Sequence, residues 1–281
     1  VMIPKPGGGQ RPLGIPTIRD RVAQMAAKLV IEPIFEADFC DTSYGFRPGR
    51  SAHDAVDDVA QALNYGYNKV IDADLSKYFD MIPHDKLMIM VAERICDGAI
   101  LRLIQMWLKA PVIEVDKGGT KRTIGGGKGN RKGTPQGGVI SPLLSNLYLH
   151  LLDRIWERRD LKWNIGARII RYADDIVVLC RKSTDPAMVV LRQVLERMGL
   201  KLNESKTRVV NACQDGFTFL GFEIRMAKSH WTGNHYPHVA PSKKSLKAIK
   251  DRITELTART RTVMPLDLLT NEVNKTVRGW V

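Results

Sequence analysis

The stretch Ile169-Ile-Arg-Tyr-Ala-Asp-Asp-Ile-Val-Val-Leu-Cys180 constrains this chain most, because it sets two adjacent carboxylates inside an otherwise apolar, β-branched run. Val and Ile favour a pleated, half-buried surface and Asp tolerates turn geometry, so the run predicts two short strands with Ala173-Asp174-Asp175 at the bend. Such a hairpin lifts Asp174 and Asp175 to its tip. Carboxylates held at the end of a buried sheet repel each other unless a cation sits between them, and hard oxygen ligands suit Mg²⁺. Taken alone, Tyr172-Ala-Asp-Asp175 fits a surface turn equally well.

A second acidic strand adds weight to the cation. Lys69-Val-Ile-Asp-Ala-Asp-Leu75 reads as a short strand in which period-two alternation points Asp72 and Asp74 the same way. Ser76-Lys-Tyr-Phe79 follows, and then a helix from about His84, a helix-start residue rather than a ligand. With 43 Lys and Arg against 30 Asp and Glu, the formal net charge of +13 favours a polyanion, either nucleic acid or an anionic membrane. No apolar run is long enough to span a bilayer, and Val1-Met-Ile-Pro-Lys-Pro-Gly-Gly-Gly-Gln10 does not read as a signal peptide, so cytosol is the expected compartment. Cys40, Cys96, Cys180 and Cys213 lack zinc-ligand spacing; three lie in apolar surroundings and all read as reduced structural residues.

Ile3-Pro-Lys-Pro-Gly-Gly-Gly-Gln-Arg-Pro-Leu-Gly-Ile-Pro16 has too much Gly and Pro for a helix and predicts two extended pieces around a turn flanked by Lys5 and Arg11. That is either a phosphate cradle or a solvated basic hairpin. Asp20 is expected to cap a helix whose stripe of Val22, Met25, Leu29 and Val30 forms core, with Pro33 disturbing its end. Ser43-Tyr-Gly-Phe-Arg-Pro-Gly-Arg50 is turn-rich. Arg47 and Arg50 beside Tyr44 and Phe46 fit a nucleic-acid contact or two surface arginines beside packed aromatics, and Ser51 with Asp54 reads as a capping pair.

Two helices are expected between Asp85 and Lys109, then a strand over Pro111–Val115 and a basic, glycine-rich, mobile loop at 117–133. Thr134-Pro-Gln-Gly-Gly138 is a tight feature in which Gln136 offers a donor and an acceptor. Ser141-Pro142 opens a helix with Ser as cap and Leu144, Leu147, Tyr148, Leu151 and Ile155 as its buried stripe. A further helix runs from Asp185 to Gly199, and Lys206 stands at a strand entrance, as either a proton donor or a plain surface lysine. Phe217-Thr-Phe-Leu-Gly-Phe-Glu-Ile224 alternates and bends at Gly221, and His230–Tyr236 interrupts. Ser242 caps a helix with Lys243, Lys244, Lys247, Lys250 and Arg252 around an apolar face, suited to a phosphate backbone or to solvent.

Taken in order, these blocks resemble the motifs of a reverse transcriptase, specifically the group II intron-encoded type, or intron maturase. Ile71-Asp-Ala-Asp-Leu-Ser-Lys-Tyr-Phe-Asp80 is similar to the family's first catalytic block, Gly133-Thr-Pro-Gln-Gly-Gly-Val-Ile-Ser-Pro-Leu-Leu-Ser-Asn146 to its middle block, and Tyr172-Ala-Asp-Asp175 to its hallmark box. The similarity runs from Ile3 to Phe222. It implies an α+β fold, the fingers and palm of a right-hand polymerase, with an antiparallel palm sheet backed by helices and most of the thumb missing.

The resemblance also implies roles. Asp74, Asp174 and Asp175 become catalytic and, with the Leu75 carbonyl, ligands of two Mg²⁺ ions, Mn²⁺ being the alternative ion. Lys5, Arg11, Phe79 and Gln136 become dNTP-binding, with Phe79 the gate against a ribose 2′-hydroxyl. Lys206 becomes the acid for pyrophosphate. Tyr172 and the primer grip Phe219, Leu220, Gly221 and Phe222 join Arg47 and Arg50 along primer and template. Implied partners are an RNA template, host intron RNA, a DNA primer and dNTPs, with no membrane, in a bacterial-type cytoplasm on the nucleoid; the oligomeric state stays open.

The expected division is fingers over 1–70, palm over 71–110, a junction over 111–140, palm with hairpin and primer grip over 141–240, and a basic helix with the start of the thumb over 241–281. Relative to the family pattern the N-terminal extension, most of the thumb and the zinc-finger endonuclease are missing, so a fingers–palm piece with weakly processive synthesis is expected. The rival readings are an RNA-binding splicing cofactor, or a reverse transcriptase of the retron, CRISPR-associated or antiphage kind.

Overall fold

A computed structural model describes residues 2–4, 10–115, 120–135 and 137–280. The chain opens with strands β1 (Met2–Pro4) and β2 (Gln10–Pro12), helices α1 (Ile18–Glu36) and α2 (Ala52–Asn64), and strand β3 (Lys69–Ala73). Helices α3 (Tyr78–Met81), α4 (His84–Ala92) and α5 (Gly98–Leu108) follow, then strands β4 (Val112–Val115) and β5 (Lys121–Gly125). Next come α6 (Ser141–Arg158), α7 (Leu161–Asn164), β6 (Ala167–Tyr172), β7 (Asp175–Cys180), α8 (Asp185–Met198) and β8 (Arg208–Asn211). The last elements are β9 (Phe217–Phe219), β10 (Phe222–Lys228), β11 (His235–Pro241), α9 (Lys243–Leu256) and α10 (Leu266–Trp280). The chain divides into two units, Val1–Val210 and Asn211–Val281.

The first unit is built on a four-stranded sheet in the order β6-β7-β3-β8. Strand β7 pairs antiparallel with β6 and with β3, placing Val178 opposite both Ile169 and Ile71. Ala167, Ile169, Ile71, Ala73, Ile176, Val178 and Cys180 therefore share one face, where they join a core with Leu87, Val91, Ile104, Leu144, Tyr148, Leu152, Leu191 and Leu195 from α4, α5, α6 and α8. Val70, Ile170, Val177 and Leu179 are buried on the opposite face, and α2 packs on β6 and β7. A sheet covered on both sides explains why residues 176–180 read as continuous apolar sequence. The α+β class, with an antiparallel sheet backed by helices, is as the sequence implied.

Several local expectations hold. Ser51 and Asp54 form a reciprocal capping box at the start of α2, and Gly199 at φ 77° ends α8. Others are corrected. Thr17, not Asp20, caps α1, accepting the Asp20 N–H at 3.2 Å. The stripe assigned to the core is on the outside, Val22, Met25, Leu29 and Val30 being 65, 45, 65 and 66% exposed. Gln24, Ala27, Ile31 and Phe35 face inward instead. Apolar residues cover both sides of this helix, so periodicity cannot choose between them, and Gln24 is buried because its Oε1 accepts the Ile140 N–H at 3.4 Å. Helix α1 also carries Pro33 inside it and continues to Glu36.

Within the loop expected to be mobile, Lys121–Gly125 forms strand β5, paired antiparallel with β4. Ser141 is the first residue of α6 rather than its cap, and its hydroxyl donates to the Pro135 carbonyl at 2.8 Å. That helix is buried over most of its circumference, though Leu151 and Ile155 are only partly covered. Cys40 and Cys180 are buried but Cys96 and Cys213 are exposed, so two of the four thiols rather than three are buried; all four are free.

In the second unit, β10 pairs with β9 and, along its whole length, with β11. Strand β11 was not among the expected elements; the interruption expected over His230–Tyr236 overlaps only its first two residues. Leu220 and Gly221, at φ 49° and 85°, form the two-residue turn between β9 and β10, a conformation that glycine accepts freely.

Candidate active site

Strand β3 ends at Ala73, paired with Ile176, so one further step along the register sets Asp74 against Asp175. Antiparallel neighbours stand about 4.5–5.5 Å apart at Cα. By the same alternation Asp72, Asp74 and Asp175 project from one face. Asp174 occupies the turn between β6 and β7, with Ala173 at φ 56° beside it, and Asp175 is already the first residue of β7, opposite Tyr172. The bend is therefore Ala173-Asp174, one residue shorter than expected.

The electrostatics agree with this clustering. Asp175 is exposed at the surface, but its carboxyl lies against the protein and is pushed up to about 6, first by that desolvation and then by the negative charges of Asp174, Asp72 and Asp74, with Lys206 opposing. Burial likewise pushes Asp72 up to about 6, opposed by Arg208 and helped by Asp74. Lys206 approaches from the segment before β8, its Nζ 3.5 Å from Asp74 Oδ1. Three bonds pin that segment to the end of β3: Asn203 N–H to the Asp74 carbonyl at 2.8 Å, Ser76 N–H to the Lys201 carbonyl at 2.9 Å, and Asp74 N–H to Thr207 Oγ1 at 3.4 Å. Because the bonds flank the Leu75–Leu202 pair, that pair is of the non-hydrogen-bonded kind and the Leu75 carbonyl stays out of the ladder.

Among the described residues no three His, Cys, Asp or Glu side chains converge as a ready-made metal cage. The donor chemistry nevertheless fits a hard divalent cation. It is all oxygen, it carries excess negative charge that raises a carboxyl pKa, and it includes a backbone carbonyl unspent in the sheet. Asp74, Asp174, Asp175 and the Leu75 carbonyl are the groups that would hold it.

Phe79 lies in α3, half-buried, its ring edge-on to Tyr78 at 5.4 Å. The Tyr78 hydroxyl donates to the Ser145 carbonyl at 2.5 Å, and the Phe79 carbonyl accepts the Thr134 N–H at 2.7 Å. This ties the first acidic block to the Thr134–Gly138 feature. Gly137, at φ 101°, comes so close to the segment after β2 that an added Cβ would sit 2.1 Å from the Gly14 carbonyl oxygen. Lys5 and Gln136 lie outside the described residues, and so does the side chain of Arg11, whose backbone forms part of β2 opposite Ile3.

Two expected nucleic-acid contacts point elsewhere. The Arg47 guanidinium is buried, bonded to Glu36 and to the Cys40 and Ser43 carbonyls at 2.7–2.9 Å, and lies over the Phe39 ring, so it has nothing to offer a phosphate. Arg50 bonds Asp41 at 2.6 Å and lies over Tyr44. Tyr172 is half-buried at the hairpin tip. Phe219 through Phe222 form the β9–β10 turn of the second unit, where the Gly221 carbonyl accepts from Ser242 N–H at 2.8 Å and Ser245 Oγ at 2.9 Å.

The sequence reading missed Arg171, which is wholly buried beside the turn. A signal existed: Arg171 shares the parity of Ala167 and Ile169, the face turned into the core.

Acidic side chains at the end of one strand and at the tip of the neighbouring hairpin, on an antiparallel sheet backed by helices, define the palm of a nucleic-acid polymerase. Comparison with known proteins makes this specific. The family model for reverse transcriptase (RNA-dependent DNA polymerase) matches residues 3–224, and the chain belongs to that family. Protein YkfC of Escherichia coli is 36% identical, over 87% of this chain and 71% of its own length. The group II intron-encoded protein LtrA of Lactococcus lactis is 27% identical over 78% of this chain, and an uncharacterized protein in a cob intron of Schizosaccharomyces pombe is 27% identical over all of it. The chain spans only 45% and 42% of those two. Telomerase of Candida tropicalis, solved with a fragment of telomeric RNA, shares the fold with a TM-score of 0.61 at 13% identity, over 99% of this chain and 52% of telomerase. No helix among the described residues is long and apolar enough to cross a membrane.

Proposed function

We propose that this chain is the fingers–palm part of a group II intron-type reverse transcriptase, adding dNTPs to a DNA primer 3′-hydroxyl on an RNA template in the cytoplasm. The observation that carries the reading is the gathering of Asp74, Asp174 and Asp175 at one end of the sheet with Lys206 Nζ 3.5 Å from Asp74. Two Mg²⁺ ions, or Mn²⁺ in their place, would supply Lewis acidity and charge neutralisation in an in-line displacement. Asp74, Asp174 and Asp175 orient that chemistry. Lys206 stands where it can hand a proton to the departing pyrophosphate. Phe79 closes the space beside the sugar and selects against a ribose 2′-hydroxyl. Residues 1–70 serve as fingers, 71–110 and 141–240 as palm, 111–140 as their junction, and 241–281 as the start of the thumb.

Primer extension on an RNA template with Mg²⁺ tests this. Wild type extends with dNTPs, Asp74→Ala does not, and Phe79→Ala gains ribonucleotide use by roughly 10-fold or more, the scale of one pocket contact. Inactivity of the wild type, or Phe79→Ala with unchanged sugar preference, would count against the respective assignments.

The net charge of +13 and the exposed lysines of α9 also support binding of host intron RNA as an aid to splicing. Asp74→Ala separates the two activities, because intron binding should keep its affinity and its salt slope while synthesis is lost.

A further inference from the structure

We propose that Arg171 is a positioning residue for nucleotidyl transfer. Its guanidinium fixes the Ala173-Asp174 turn, and through it the aspartates, from a socket assembled out of two segments remote in sequence, residues 42–45 and helix α6. The inference rests on the polymerase reading of the site.

The side chains of Arg171 and Asp153 are both 0% exposed. Nε of Arg171 donates to both Asp153 oxygens at 3.1 Å, and Nη2 donates to Asp153 Oδ2 and to Ser43 Oγ, each at 2.6 Å. Nη1 donates to Asn146 Oδ1 at 3.0 Å and to the Ala173 carbonyl at 2.9 Å. All five guanidinium N–H groups are thus spent, one of them on the turn itself. The backbone closes the socket. Arg171 N–H donates to the Thr42 carbonyl and Tyr44 N–H to the Arg171 carbonyl, each at 2.8 Å, while Asn146 Nδ2 donates to the Gly45 carbonyl at 2.5 Å.

Stability alone does not account for this arrangement. A buried ion pair is often matched or bettered by apolar residues of the same volume. What apolar residues cannot do is grip a carbonyl in a strained turn. Ala173 sits at φ 56°, a left-handed conformation that strains a non-glycine residue, so the turn needs an outside hold. Arg171 supplies it from two residues away, and Asp153 on α6 aims the guanidinium. Lysine offers three donors from one point and cannot reach Asp153, Asn146, Ser43 and Ala173 together.

The test compares Arg171→Lys and the double variant Arg171→Met/Asp153→Leu with wild type and with Ile104→Ala, a core truncation in α5. Three quantities are read on each: the melting temperature, the single-turnover rate of dNTP addition per folded molecule, and Mn²⁺ binding followed by electron paramagnetic resonance. The double variant keeps the interior filled, so it folds even where Arg171→Lys does not. Both Arg171 variants are expected to lose on the order of 100-fold in rate, the scale of a 1 Å misplacement, and to bind Mn²⁺ at least several-fold more weakly. Ile104→Ala loses melting temperature but keeps rate and Mn²⁺ affinity. If the double variant matches wild type in rate and Mn²⁺ affinity, Arg171 is a packing residue and the inference falls. If wild type adds no nucleotide, the polymerase reading falls instead, and the Mn²⁺ comparison still reports on the turn.

Discussion

Gly45→Ala places one methyl group against the backbone of the catalytic turn. A Cβ at residue 45 would lie 2.2 Å from the Ala173 nitrogen and 2.9 Å from the Tyr172 carbonyl carbon, where ordinary contact begins at 3.4 Å. Neither neighbour is the end of a flexible side chain, so the 42–45 segment and the turn must separate by about 1 Å, the scale at which catalytic geometry loses roughly 100-fold in rate. Overpacking of this kind costs about 1–3 kcal/mol. At about 2–4 °C per kcal/mol for a unit of this size, the melting temperature should fall by about 2–12 °C. Gly98→Ala is the control. At the start of α5 an added Cβ meets nothing within 4 Å, so that variant should gain about 0.4–1 kcal/mol and keep full activity. Single-nucleotide addition under rapid mixing, normalised to folded protein, measures the rate. A Gly45→Ala enzyme with wild-type rate and melting temperature would refute the claim that this loop buttresses the aspartates.

Truncating the two faces of α1 should give opposite results. Ile31→Ala, at a side chain 1% exposed, is expected to lose about 2–5 kcal/mol, and Leu29→Ala, 65% exposed, no more than about 0.5 kcal/mol; equal losses in thermal denaturation would contradict the orientation of α1. Burial holds the His150 imidazole below its ordinary pKa of 6.5, with Asp153 opposing and Arg154 adding to the effect. As pH falls through about 6.5 the unfolded chain takes up a proton that the folded chain refuses, so stability declines on the acid side. His150→Gln should flatten that decline between pH 7.5 and 5.5, and parallel melting curves would overturn the assignment. Arg47→Ala should lower the melting temperature through its lost bonds to Glu36 and two carbonyls, yet leave the salt dependence of RNA binding unchanged; a reduced slope would restore Arg47 as a phosphate ligand.

Much of the site was legible because its residues signal against their surroundings. Two aspartates in a β-branched run, and two more alternating along Lys69–Leu75, are costly to bury without a reason, and the structure sets them on neighbouring strands. The capping box at Ser51 and the Gly199 stop were equally readable, being local chemistry within four residues. The inward face of α1 was not, since Val22, Met25, Leu29 and Val30 match Ala27, Ile31 and Phe35 in polarity and only the neighbouring elements choose between them. Arg47 was illegible because a guanidinium looks alike in sequence whether it meets solvent, a phosphate or a buried carboxylate; the parity of Arg171 with Ala167 and Ile169 turned it inward, but nothing in the sequence named its partners.

The amino-acid sequence by itself determined the strands of the four-stranded sheet, most helices, the acidic tip and the family, because these depend on periodicity, turn chemistry and the order of short motifs. Only the tertiary structure decided that Ser43, Asn146 and Asp153 close around Arg171, that Lys206 reaches Asp74, and that the 42–45 segment braces the turn. These are contacts between residues from 18 to more than 120 positions apart, and their strength lies in burial and donor geometry, which exist only once distant segments are packed together.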